Sequence, residues 1–125
     1  MIDAFKKLLD HSSSILITTH KSPDGDAIGS AAAFSRFVSA YGKNNHVLLP
    51  DAPASNLMSF LDGVSYSFFE DFDLPESGYD LMICLDYNHP HRVGDKMKSF
   101  VLELNAPKIM IDHHPNPTEF CDLTI

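Results

Sequence analysis

Histidines and aspartates stand directly after three short apolar runs in this chain: His20, Asp24 and Asp26 after residues 14–19, Asp86 after 79–85, and Asp112, His113 and His114 after 108–111. Imidazole nitrogen and carboxylate oxygen together suit Mn, Zn or Fe, and a carboxylate-rich set able to bridge two ions particularly suits a di-manganese or di-magnesium hydrolase. Taken singly, each segment also has an ordinary reading. Asp24-Gly25-Asp26 fits a solvated turn, Asp86 a turn or helix cap, and His113-His114 a pair of surface histidines. What they share is a position at the end of a strand-like run.

The elements follow from periodicity. Residues 14–19 are apolar and β-branched and read as a strand buried on both faces. Ala27, Ala31, Phe34, Val38 and Tyr41 recur at helical spacing, with Gly42 where a C-terminal cap belongs. A strand over 46–49 ends at Pro50, and a helix is expected from 51–53 through Leu61. Residues 64–69 suggest a third strand, 70–78 an exposed connection, 79–85 a central strand, 95–104 a helix and 108–111 a last strand. Strands alternating with helices predict an α/β fold with a mainly parallel sheet flanked by helices, Rossmann-like in style. In such a sheet the strand C-termini share one edge, so the three segments should converge there although they lie far apart in the chain.

His20-Lys21-Ser22-Pro23-Asp24-Gly25-Asp26 resembles the H-x-x-x-D-x-D motif of the DHH-family phosphoesterases, and Asp112-His113-His114 resembles the D-H-H that names them. Asp86, followed by Arg92 and Gly94, fits the motif between. The three occur in family order from about residue 15 to 117. The resemblance implies an N-terminal DHH catalytic domain over 1–125 and an enzyme, a metal-dependent phosphoesterase holding two divalent ions, Mn2+ foremost with Mg2+, Zn2+ or Co2+ as substitutes. It assigns His20, Asp24 and Asp86 to one metal and Asp26, Asp86 and His113 to the other, so that Asp86 bridges. His114 goes to the substrate phosphate and Asp112 orients a histidine, these two and Asp86 forming the catalytic set. Arg92 and the backbone N–H groups of Gly29 and Ser30 are expected to contact phosphate. The family also carries a further aspartate beyond D-H-H and a smaller substrate-gripping domain, so the chain reads as truncated and, by itself, as weakly active or inactive.

The stretch 23–30 looks most like the branch that degrades very short RNA (oligoribonuclease, or nanoRNase) and dephosphorylates adenosine 3',5'-bisphosphate. Pyrophosphatase, exopolyphosphatase and cyclic-dinucleotide phosphodiesterase branches share the metal motifs. A catalytically silent nucleotide- or partner-binding domain is the alternative from a different class.

Composition narrows the partners. With 125 residues, 44% hydrophobic and 21% charged, the chain suits one globular domain. A net charge of −8 argues against a broad basic surface for duplex DNA, whereas ions held by carboxylates can still receive a short RNA or nucleotide phosphate. The N-terminal residues 1–10 read as an amphipathic helix, with no signal-peptide core and no apolar run long enough for a membrane, which predicts a cytoplasmic protein; a homodimer stays compatible. Cys84 and Cys121 read as plain core thiols, and His89, His91, His11 and His46 as solvated.

Overall fold

The apolar runs pair into one six-stranded sheet in which every neighbouring pair is parallel, as seen in a computed structural model that describes residues 2–125. Its strands are β1 (Ser14–Thr18), β2 (Asn44–Leu49), β3 (Tyr66–Phe68), β4 (Leu81–Leu85), β5 (Lys108–Ile111) and β6 (Leu123–Thr124), in the spatial order β3-β2-β1-β4-β5-β6. The chain therefore builds outward from β1 on one side through β2 and β3, then crosses to β4 on the other. β1 and β4 lie side by side, with Ile17 opposite Ile83, while the connections leaving them run in opposite directions.

Alternation along the strands splits the core in two. Ile15, Ile17, Leu81, Ile83 and Leu85 face α1 (Ile2–Asp10) and α2 (Gly25–Ala40), meeting Leu9, Ile28, Ala31 and Val38. Leu16, Met82 and Cys84 face the other way, toward Met97 and Val101 of α3 (Asp95–Glu103). With both faces covered, all five residues of β4 are buried, which is why that strand is continuously apolar.

Several elements differ from the sequence expectation. Asp24 caps α2 by accepting from the Ala27 amide at 3.0 Å, so the helix starts at Gly25 and not at Ala27. Residues 55–61 form a 3-10 helix without a side-chain cap, where an ordinary helix was expected. The third strand shortens to β3 because Phe69–Asp71 turns into a 3-10 helix. The short edge strand β6 carries little sequence signal at two residues. His46 is not a solvated histidine: its ring hydrogen-bonds Ser65 and Ser67, stacks on Phe72, and burial lowers its pKa. Cys84 is buried with the Cys121 sulfur 3.9 Å away, both thiols free. Among the described residues, no helix is long and apolar enough to cross a membrane.

Candidate metal centre

Asp86 follows β4 directly, with φ +63 and its amide donating to the Ile111 carbonyl at 3.0 Å. That left-handed turn lifts the carboxylate out of the strand line at the β1/β4 junction. Its two oxygens are divided: Oδ2 lies 3.4 Å from His20 Nε2 and Oδ1 lies 3.2 Å from His113 Nε2. His20, only 6% exposed, bonds the Lys21 carbonyl through Nδ1 at 2.7 Å. That bond places the proton on Nδ1 and leaves the Nε2 lone pair for a cation. Asp24 Oδ1, already capping α2, stands 3.7 Å from the same Nε2.

Two donor groups result, with ligand atoms within 4.8 Å of one another: His20, Asp24 and Asp86, and Asp86, Asp112, His113 and His114. Mixed nitrogen and carboxylate donors of this kind fit hard to borderline divalent ions. Asp86 belongs to both. Asp26 is exposed in the first turn of α2 and belongs to neither. Asp112 accepts from the His114 amide at 3.0 Å and from its Nδ1 at 2.5 Å. The Asp112 hydrogen bond, with the charges of Asp112 and nearby Asp86, raises the His114 pKa, and with Nδ1 bonded to Asp112 the Nε2 nitrogen is the one left for a ligand.

Arg92 and His114 converge with Asp86 and Asn88 on a cleft of about 250 Å3 beside the donor groups. Ser30 lines a separate cavity of about 530 Å3 with Asp86 and His113. The expectation for the Gly29 and Ser30 amides needs correction. Ile28 N already bonds the Asp24 carbonyl at 3.0 Å, so Gly29 and Ser30 fall inside the helical ladder, and the first-turn donors lie at Gly25 and Asp26. His89 and His91 contact each other at a 3-10 helix over Pro90–Val93 and join neither donor group among the described residues.

Other supports had no motif to announce them. Thr19 Oγ1 donates to the Leu85 carbonyl at 2.9 Å, pinning the end of β1 to the residue before Asp86. Asp51 accepts from the Ser22 amide at 2.7 Å and steadies the loop between His20 and Asp24. Asn88 donates to the Pro115 carbonyl at 2.9 Å and ties the Asp86 loop to the histidine loop. The only sequence signal for them is a polar residue close to a strand end.

A parallel sheet with a histidine–aspartate centre at its switch point defines a class of α/β domain built to hold cations against a ligand. The sequence matches the DHH family, N-terminal domain, over residues 14–125, and the chain belongs to that family of phosphoesterases. It is 25% identical over 126 residues to the cyclic-di-AMP phosphodiesterase GdpP of Bacillus subtilis (strain 168), a match covering 94% of this chain and 19% of that protein. The crystal structure of an exopolyphosphatase-related protein from Bacteroides fragilis superposes with a TM-score of 0.87 at 33% identity, covering 99% of this chain and 37% of that one. The chain thus spans about a fifth and little more than a third of these two relatives.

Proposed function

We propose that this chain is the metal-holding domain of a two-metal phosphoesterase acting on short oligoribonucleotides and on nucleotides such as adenosine 3',5'-bisphosphate. The carrying observation is the Asp86 carboxylate, whose two oxygens are shared between His20 on one side and His113 on the other. In this reading His20, Asp24 and Asp86 hold one ion, and Asp86 and His113 hold the second together with Asp26, which lies outside both donor groups and reaches in from the first turn of α2. Bound there, a pair of divalent ions supplies a nucleophile at neutral pH and offsets charge on the phosphoryl oxygens.

The chain's own side chains position the ester. Arg92 offers two parallel donors to phosphate oxygens, a geometry lysine lacks. His114, held by Asp112 through Nδ1, presents Nε2–H to the same phosphate or to the departing oxygen. Few basic residues surround the site, nine Lys and Arg against seventeen Asp and Glu in the chain, which favours short substrates over an extended phosphodiester backbone.

A cyclic dinucleotide is the second reading, favoured by the likeness to the B. subtilis cyclic-di-AMP phosphodiesterase. Rates measured side by side with Mn2+ on di- to pentaribonucleotides, adenosine 3',5'-bisphosphate, a cyclic dinucleotide, pyrophosphate and polyphosphate separate the two. Faster hydrolysis of the short RNA and the bisphosphate supports the first. A preference for the cyclic substrate moves the protein to the second, and a preference for pyrophosphate or polyphosphate removes both.

A further inference from the structure

Beyond the donor groups a cavity of about 940 Å3 opens at the same sheet edge between the end of β2, the β3 turn and the start of α3. It is joined to the metal centre by the chain itself. Lys21, next to His20, lines it, and the Lys21 amide donates to the Arg92 carbonyl at 2.7 Å. A phosphate held by Arg92 and the donor groups therefore has this cavity as its neighbour across the Lys21–Arg92 joint.

The wall is aromatic. Phe68, Phe69 and Phe72 all line it. The Phe72 ring is held among Phe100 at 5.7 Å, Tyr79 at 6.5 Å and the His46 ring at 5.9 Å, and Phe69 leans on Phe100 at 5.8 Å. Such braced rings make a platform for a flat π-system, which lowers the ordering cost of stacking. The lining carries both signs of charge: Lys21 and Lys96 donate, while Asp51, Glu70 and Asp95 accept. A string of phosphates calls for cations alone, whereas the edge of a purine presents ring acceptors and amino donors together. The cavity of about 530 Å3 near Ser30 differs, since apart from Ser30 its polar lining consists of residues already in the donor groups.

We propose that the cavity walled by Phe68, Phe69 and Phe72 is a nucleobase subsite that takes the purine of a nucleotide whose phosphate lies at the metal centre. The assignment rests on the phosphoesterase reading and narrows it to nucleotide substrates, against inorganic pyrophosphate and polyphosphate. Its size is within the roughly 300–1,000 Å3 of small-ligand sites.

The test is calorimetric binding of adenosine 5'-monophosphate and of ribose 5-phosphate to the full-length chain with Mn2+, two ligands that differ at the anomeric carbon, which bears adenine in one and a hydroxyl in the other. The nucleotide should bind at least about tenfold more tightly, as a stacked base does. In Phe69→Ala that advantage should vanish while ribose 5-phosphate binding stays unchanged, and Phe69→Trp should restore it, with thermal melts verifying that each variant is folded. Equal affinities in the unaltered protein, an advantage that survives Phe69→Ala, or failure of both ligands to bind overturns the subsite. Mn2+ binding without nucleotide is measured separately by calorimetry; its absence removes the two-metal phosphoesterase reading, while the binding ratio still decides the base subsite.

Discussion

Two aspartates six positions apart flank β4, Asp80 just before it and Asp86 just after, and their surroundings are opposite. Asp80 closes the N-terminal edge of the sheet: its carboxylate accepts from the Ser13 and Ser14 amides and the Ser13 hydroxyl at 2.9–3.1 Å. Asp86, at the C-terminal edge, accepts from no backbone amide among the described residues and faces two imidazoles. The N-terminal edge satisfies its carboxylate within the fold. The C-terminal edge pairs its carboxylate with imidazoles, groups that can themselves hold a cation. The same residue type on one strand thus serves stability at one end and ligand binding at the other.

Removing the carboxylate at Asp86 should have the largest effect. Asp86→Asn is expected to weaken Mn2+ binding about 100-fold or more and to disturb both ions, because each donor group loses a shared ligand. Asp24→Asn or Asp26→Asn should disturb one ion only. Calorimetric affinity and stoichiometry check this, and unchanged values in Asp86→Asn would remove the bridging assignment.

Next comes the support of His114. Asp112→Ala should lower kcat about tenfold with a smaller change in Mn2+ affinity, since it releases a substrate-facing imidazole. Asp112→Asn, which keeps the volume, should fall between. Equal losses of metal binding and kcat would instead make Asp112 a ligand.

The smallest effect belongs to the closed edge. Asp80→Asn should cost about 1 kcal/mol of stability at this solvent-facing position and leave Mn2+ affinity untouched. Burial pushes the Asp80 carboxyl up, but the Ser14 and Ser13 hydrogen bonds outweigh it and hold the pKa below its ordinary 3.8. A carboxyl depressed in the folded state contributes stability that is present above the unfolded value and lost as pH falls through the folded one. The melting difference between wild type and variant should therefore shrink on acidification below about pH 4. A difference that grows there would reverse the sign of the assignment.

The sequence made the open edge easier to read than the closed one. His20, Asp24, Asp86 and His113 each follow an apolar run, and parallel pairing alone brings such positions together, so their convergence was foreseeable. Asp80 had no such signal: it falls inside the run read as a strand over 79–85, and its bonds go to Ser13 and Ser14, more than sixty positions away. The same blindness hid Thr19, Asp51 and Asn88, whose partners are main-chain atoms in distant segments. The Gly29 and Ser30 expectation failed for a local reason, because Asp24 capped the helix two residues early and drew both amides into its interior.

The backbone at Asp86 sets a limit on how this position can vary. A left-handed φ of +63 is tolerated readily by glycine and next best by asparagine or aspartate, while β-branched residues are penalised there. Replacements should therefore rank in nearly opposite orders for folding and for cation affinity. Glycine relieves the conformational strain and abolishes binding, asparagine keeps the turn without the charge, and glutamate keeps a carboxylate one methylene too far out in a less tolerant backbone. Aspartate is the one side chain that meets both demands, so the position trades a little native-state stability for ligand geometry.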